Sequence, residues 1–483
     1  MADHDDLNGQ LPVFPPREPD QLKHSDEGQV EEGQRHGPAS SFGIDLQKSC
    51  WHCPNDIFGT HRADIRGKPG LGSPGFVGSL CSILSVVSGR SRESALLRRL
   101  GTLGSDLAAA MSRTVGFARE LAADPQPTAP LRRASLVASA AGDELLLACF
   151  QQLHTVADDD DFASTLDESR ELVDYLEGRG VLADPGSWHI PSAPAVLTES
   201  ARRVGHLSFS HSTYVSPYDP EDSVPGARRY AEYTRNETVH AWLLRQQRPA
   251  PWVVCVHGAG MGDPFADMVV FRAASLHAGG FNVAIPVLPH HGPRGAGRFS
   301  MAFPNEDPAM NLHGAAQAIA DVRALLAYID ARGERAVLFG LSLGGYVAAA
   351  VAALEPTLAG IVVGVPVVDM ADLMRTHTPM RFAHHPRYED FSWLADRLDH
   401  VTSPLGLSSP AVPVRRIWAG RADRLVRPGH VELLTQHWGI PTVSWYQGGH
   451  LGFFGSPTAR RCVSDTLIDS GVASRQKGRL LAI

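Results

Sequence analysis

Val337-Leu338-Phe339-Gly340-Leu341-Ser342-Leu343-Gly344-Gly345-Tyr346-Val347-Ala348 places a G-x-S-x-G pentapeptide between a short apolar run and an alanine-rich stretch. The apolar run predicts a buried strand and the stretch after it a helix. A serine at such a junction sits on a sharp, strained turn that lifts its hydroxyl out of the sheet. Small residues two places before and after Ser342 let the strand and helix backbones close in. The start of the helix then favours negative charge developing beside the serine. No other G-x-S-x-G occurs in the chain.

The surroundings fit that reading. From about residue 200, short apolar runs bounded by Gly or Pro recur: Trp252–Val256, Phe281–Leu288, Ala336–Phe339, Gly360–Val365, Arg415–Ala419 and Thr442–Tyr446. Helical segments separate several of them. The best is Leu312–Ala331, with Ile319, Val322, Leu326 and Ile329 on one face. Buried strands alternating with helices predict an α/β protein with a mostly parallel sheet covered on both sides. His206–Val215 and Tyr230–Arg245 read as further strands, rich in Thr, Tyr, Val and Leu.

A serine hydroxyl needs a base, and the base needs an orienting carboxylate. In this architecture both follow the serine, the acid first, each after a late strand. The strand Arg415–Ala419 leads to Asp423, the candidate acid. Asp369 and Asp372 are its rivals, after the preceding strand. The last strand leads into Gln447-Gly448-Gly449-His450-Leu451-Gly452, and His450 is the candidate base. An oxyanion formed at Ser342 needs preorganised N–H donors. Leu343, just after the serine, supplies one. Ala259, in the loop Val256-His257-Gly258-Ala259-Gly260, is assigned the second, with Gly258 as the alternative. The Gly spacing here is not G-x-G-x-x-G, so a nucleotide site is not indicated. His257 reads chiefly as a brace for that loop, close enough to count among substrate-lining residues.

The loop His290-His291-Gly292-Pro293-Arg294 falls at the same sheet edge. Two readings stand for Arg294 and Arg298: an anchor for an anionic part of a substrate, or solvated loop charge. An insertion at 368–409 carries Met370, Met374, Met380, Phe391, Trp393 and Leu394. It reads equally as a lid, with Met374 lining an acyl pocket, or as ordinary packing of excursion helices.

The rest of the 483 residues is less telling. Residues 1–70 hold 12 acidic and 7 basic residues among many Gly, Pro, Gln and His, and read as disordered or loosely attached. Cys50-Trp51-His52-Cys53, with His61 nearby, has a metal-ligand or redox spacing. No second C-x-x-C supports it. Residues 71–195 read as a helical domain or extension. Leu107, Met111 and Val115 continue one stripe, and Phe162, Leu166, Val173 and Leu176 form another. The remainder, 196–483, is the catalytic domain. A net charge of −8 argues against nucleic acid or anionic membrane as the main partner. Six cysteines are too few for a disulfide framework. The apolar run Phe76–Val87 is shorter than the ~20 residues a bilayer needs. The N-terminus lacks the pattern of a secretory signal. A soluble, cytoplasmic protein is expected.

Residues 200–470 resemble the α/β-hydrolase superfamily in His257-Gly258 after an early strand, Gly340-x-Ser342-x-Gly344, Asp423 and His450, in that order. Pro286–Gly292 is loosely similar to esterases of the dienelactone-hydrolase and acetyl-esterase kind. The oxyanion loop departs from the His-Gly-Gly-Gly of hormone-sensitive lipases. The resemblance implies a Ser-Asp-His hydrolase without metal or cofactor, acting on a small-molecule ester, with an apolar acyl group if the lid reading holds. The same residues would serve a thioesterase, an amidase or peptidase, or an acyltransferase. A non-catalytic binding protein on this fold is the rival class, as is a partner-docking role for residues 1–200.

Overall fold

The computed structural model describes residues 93–123, 130–153, 159–191, 193–296, 302–377, 383–440 and 442–475. The segment 1–70 with its Cys50–Cys53 pair, the apolar run Phe76–Val87, Arg298 and Met380 lie outside these residues. The chain runs α1 (Glu93–Ala123), α2 (Pro130–Leu153), α3 (Asp159–Gly178), β1 (Thr198–Val204), β2 (Leu207–Val215), α4 (Ala227–Ala231), β3 (Thr238–Leu244), β4 (Trp252–Val256), α5 (Pro264–Val270) and α6 (Ala273–Ala278). It continues with β5 (Asn282–Pro286), α7 (Pro308–Asp330), β6 (Ala336–Leu341), α8 (Leu343–Leu354), β7 (Gly360–Gly364), α9 (Met370–His377), α10 (Tyr388–Thr402), β8 (Arg415–Gly420), α11 (Pro428–Trp438), β9 (Ser444–Tyr446) and α12 (Pro457–Asp469).

The strands form one sheet in the order β1-β2-β3-β5-β4-β6-β7-β8-β9. Pairing is antiparallel from β1 to β5 and parallel from there to β9. Along β4, Val254 and Val256 enter a core that also holds residues of α3, α7, α8 and α10. Val253 and Cys255 enter the opposite core, under α5, α6 and α12. Both faces are therefore buried, which is why these strands read as unbroken apolar runs. From β4 the chain steps to β5 on one side and then crosses to β6 on the other. The ends of β4 and β6 flank this switch point, where open α/β sheets form their binding crevice.

Three expectations change. β1 is an extra strand that sequence did not show: its residues are exposed or half-buried, so no apolar alternation marks it. The segment around Tyr230 is not strand but α4 and a 3-10 turn, and β3 starts only at Thr238. On α1, Leu107, Met111 and Val115 are exposed rather than core-facing. The adjacent row turns inward instead, with Phe117 and Leu121 packing on Leu136, Ala140 and Ala422.

The insertion 368–409 forms α9 and α10. Met370, Met374, Phe391, Leu394 and Leu398 are buried in the same core as α3 and α7. These five residues belong to the body of the protein, whereas Trp393 is exposed. Among the described residues, no helix is long and apolar enough to cross a membrane.

Candidate active site

β6 ends at Leu341 and α8 begins at Leu343, so Ser342 alone makes the turn. Its backbone has φ 55° and ψ −117°, a conformation that costs a non-glycine residue about 1–3 kcal/mol. Four hydrogen bonds hold it there. Ser342 N donates to Gly364 O at 2.9 Å, and Ser342 O accepts from the amides of Gly345, Tyr346 and Val367. A side chain on Gly344 would overlap the carbonyl of Val256, so β4 and α8 can touch only through glycine. The serine itself remains partly exposed.

Asp423 follows β8 and His450 follows β9. His450 Nε2 lies 3.0 Å from Ser342 Oγ, and Nδ1 lies 2.8 Å from Asp423 Oδ2. With Nδ1–H donating to the carboxylate, Nε2 is free to accept the hydroxyl proton. The other oxygen of Asp423 accepts from the amides of Leu425 (3.0 Å) and Val426 (2.8 Å), which fixes its plane. Burial alone would depress the His450 pKa. The charge and hydrogen bond of Asp423, aided by Asp143, outweigh it and hold the pKa above the ordinary value.

The loop after β4 lies against this turn, with the Gly258 backbone beside Ser342 Cβ and Leu341 O. Among the described residues, neither the Leu343 nor the Ala259 amide donates to a protein acceptor. His257 holds the loop in place. Its Nε2 accepts from Leu288 N at 3.0 Å, so its proton is on Nδ1, which donates to Gly258 O at 2.8 Å. Burial, then the neighbouring His291, push its pKa down to about 3. With both nitrogens committed and no exposure, His257 braces the loop and does not face a substrate.

Two further expectations are corrected. Arg294 is buried, not in a solvated loop and not at an open site. It donates to Asp321 Oδ2 (2.8 Å), Val287 O (2.8 Å) and Asn236 O (2.7 Å), pinning the β5 loop to α7. Met374 is also internal: its sulfur accepts from Asn311 Nδ2 at 2.8 Å, beside a cavity of only about 10 Å³. Of the rival acids, Asp369 Oδ1 accepts from Asp372 N at the start of α9, and Asp372 pairs with His430 at 3.3 Å. Neither meets His450.

One residue at the site was not singled out by sequence. Asp143 of α2 accepts from the His450 main-chain N–H at 2.7 Å. Its partner is 307 residues away, and an acid in an amphipathic helix ordinarily marks the wet face. No sequence signal distinguishes it. Among the described residues, no group of three or more His, Cys, Asp or Glu is placed to hold a metal ion.

Residues 253–461 match the model of the alpha/beta hydrolase family. Uncharacterized proteins from two Mycobacterium tuberculosis strains are each 41% identical over 348 residues, covering 70% of this chain and 83% of theirs. Among solved structures, an acetyl xylan esterase from Paenibacillus sp. R4 aligns at TM-score 0.39 and 16% identity, over 62% of this chain and 92% of that one. A puromycin-hydrolyzing peptidase from M. tuberculosis aligns at TM-score 0.35 and 17% identity, over 48% of this chain and 37% of that one. The chain belongs to the α/β-hydrolase family.

Proposed function

We propose that the protein is a serine hydrolase that cleaves carboxylic esters through an acyl-enzyme. The observation that carries this reading is the continuous hydrogen-bonded line from Ser342 Oγ through His450 to Asp423. Ser342 Oγ attacks the ester carbonyl as His450 Nε2 takes its proton. The resulting oxyanion is held by the N–H groups of Leu343 and Ala259, each worth about 3–4 kcal/mol to the transition state. Asp423 keeps the imidazole in the right tautomer and stabilises the imidazolium. The imidazolium returns the proton to the leaving alcohol as the C–O bond breaks. Water, deprotonated by the same histidine, then attacks the acyl-serine and releases the acid. A binding protein would not need a strained serine aligned with a buried base, because the strain costs stability and adds no affinity.

The test is hydrolysis of a panel of p-nitrophenyl esters graded from acetyl to palmitoyl, run beside a thioester and an anilide. Turnover of esters by the wild type and its loss in Ser342→Ala are expected. Cleavage of the anilide or thioester in preference to every ester would overturn the ester assignment.

A further inference from the structure

α2 carries two consecutive acids, Asp143 and Glu144, that are 5% and 2% exposed. Burying carboxylates is costly unless each is paired or hydrogen-bonded. Both are, and the partners of Asp143 belong to the turns that carry the candidate base and acid. Asp143 Oδ2 accepts from His450 N (2.7 Å) and from Arg424 N (3.0 Å). The first amide belongs to the base itself, the second to the residue after the acid Asp423. One carboxylate oxygen therefore ties the base-bearing turn to the acid-bearing loop.

The rest of the helical pair reinforces that tie. Glu144 bonds Arg424 Nε (3.3 Å) with one oxygen and Arg113 Nε of α1 (2.6 Å) with the other. The Arg424 guanidinium lies 5.3 Å from the Phe117 ring centroid, and Leu136 and Ala140 pack on Ala422. On the other side, the Tyr446 hydroxyl donates to Gly449 O (2.7 Å) and His450 O (3.2 Å), so the base residue is held at both its N–H and its C=O.

We propose that Asp143 is a positioning residue for His450, so that the N-terminal helical pair is a working part of the active site rather than a separate docking module. The proposal rests on the Ser342–His450–Asp423 reading. Asp143 acts in two ways. It holds the main chain from which the imidazole projects, while Asp423 holds the ring itself. It also places a second negative charge beside the base, which favours the imidazolium that forms during attack. Charged and titratable groups facing it are His450, Asp423 and Arg424 after β8, and Tyr446 of β9, while the adjacent Glu144 is paired with Arg113 of α1 and Arg424. Burial, followed by the charge of Asp423, pushes the Asp143 pKa up to about 6, against the opposing pull of its two N–H bonds. The carboxylate is therefore charged at neutral pH and titrates in mild acid.

The experiment compares full-length wild type, Asp143→Asn, Asp143→Ala and Ser342→Ala. Each is assayed for fluorophosphonate labelling and for kcat and KM on a p-nitrophenyl ester from pH 5 to 9, with circular dichroism as the folding check. Asparagine keeps an acceptor oxygen for both amides and removes the charge. It is expected to lower kcat about 10-fold with little change in KM, and to move the acid limb of kcat/KM to lower pH. Alanine loses more turnover than asparagine. If the alanine variant fails to fold, the asparagine variant decides. Wild-type kcat and an unmoved acid limb in Asp143→Asn, with a labelled wild type, would overturn the positioning role alone. A wild type that neither labels nor turns over any ester would overturn the Ser342 reading, and the role of Asp143 with it.

Discussion

Gly449 and Asp143 fit together with no room to spare: a Cβ on Gly449 would lie 2.6 Å from Asp143 Oδ2 and 2.7 Å from Oδ1. The glycine that precedes the base is thus matched to a carboxylate from a helix some 300 residues earlier in the chain. A side chain at 449 would require that carboxylate to shift from its present place beside the His450 amide.

Gly449→Ala is expected to lower kcat by about 10-fold or more, because small displacements of a reacting group are costly. Both changes break the same contact, so the double variant Gly449→Ala, Asp143→Ala should lose less than the sum of the single losses in log kcat. A double-mutant cycle on kcat checks this. Simple additivity would separate the two residues.

The strain at Ser342 makes a stability prediction that is independent of substrate. Glycine accepts φ 55° without penalty and alanine does not. Ser342→Gly should therefore be more stable than Ser342→Ala by roughly 1 kcal/mol, although both are inactive. Urea unfolding of the two variants measures the difference. Equal stability would mean the turn is not strained in solution.

The base must be neutral to accept a proton. With the pKa of His450 held above its ordinary 6.5, kcat/KM should rise with pH through a midpoint above that value. Asp423→Asn removes the largest raising influence, so the midpoint should move down and kcat should fall by about 10⁴. A pH–rate series on both proteins reads both effects. A wild-type midpoint below 6.5 would contradict the assigned electrostatics.

Arg294 distinguishes an interior tie from a substrate anchor. Arg294→Met leaves the Asp321 carboxylate buried without its ion pair, a change worth about 3–5 kcal/mol of stability. The folded fraction should keep its KM for neutral and anionic esters alike. A raised KM confined to anionic esters would return Arg294 to the substrate.

Much of this was legible because the sheet is buried on both faces. β4 through β8 announced themselves as apolar runs, and Ser342 as the single residue between a strand and a helix. Asp423 and His450 were placed by chain order, and the structure brings both within hydrogen-bond distance of their expected partners. What failed to show follows equally physical lines. β1 is a polar edge strand whose side chains are exposed or half-buried, so they carry no apolar pattern. Arg294 and Met374 looked like loop and lid residues, because burial by distant segments leaves no local mark. Asp143 was hidden for the same reason. Its role exists only where α2 meets the turns after β8 and β9, and no spacing along the chain encodes that meeting.

The proposed chemistry depends first on Ser342 being an activated nucleophile. Intact-mass analysis after treatment with a fluorophosphonate probe tests it most directly, on wild type and on Ser342→Ala. One covalent adduct is expected on the wild type and none on the variant. A folded wild type that stays unmodified, or a variant that is modified equally, would contradict it.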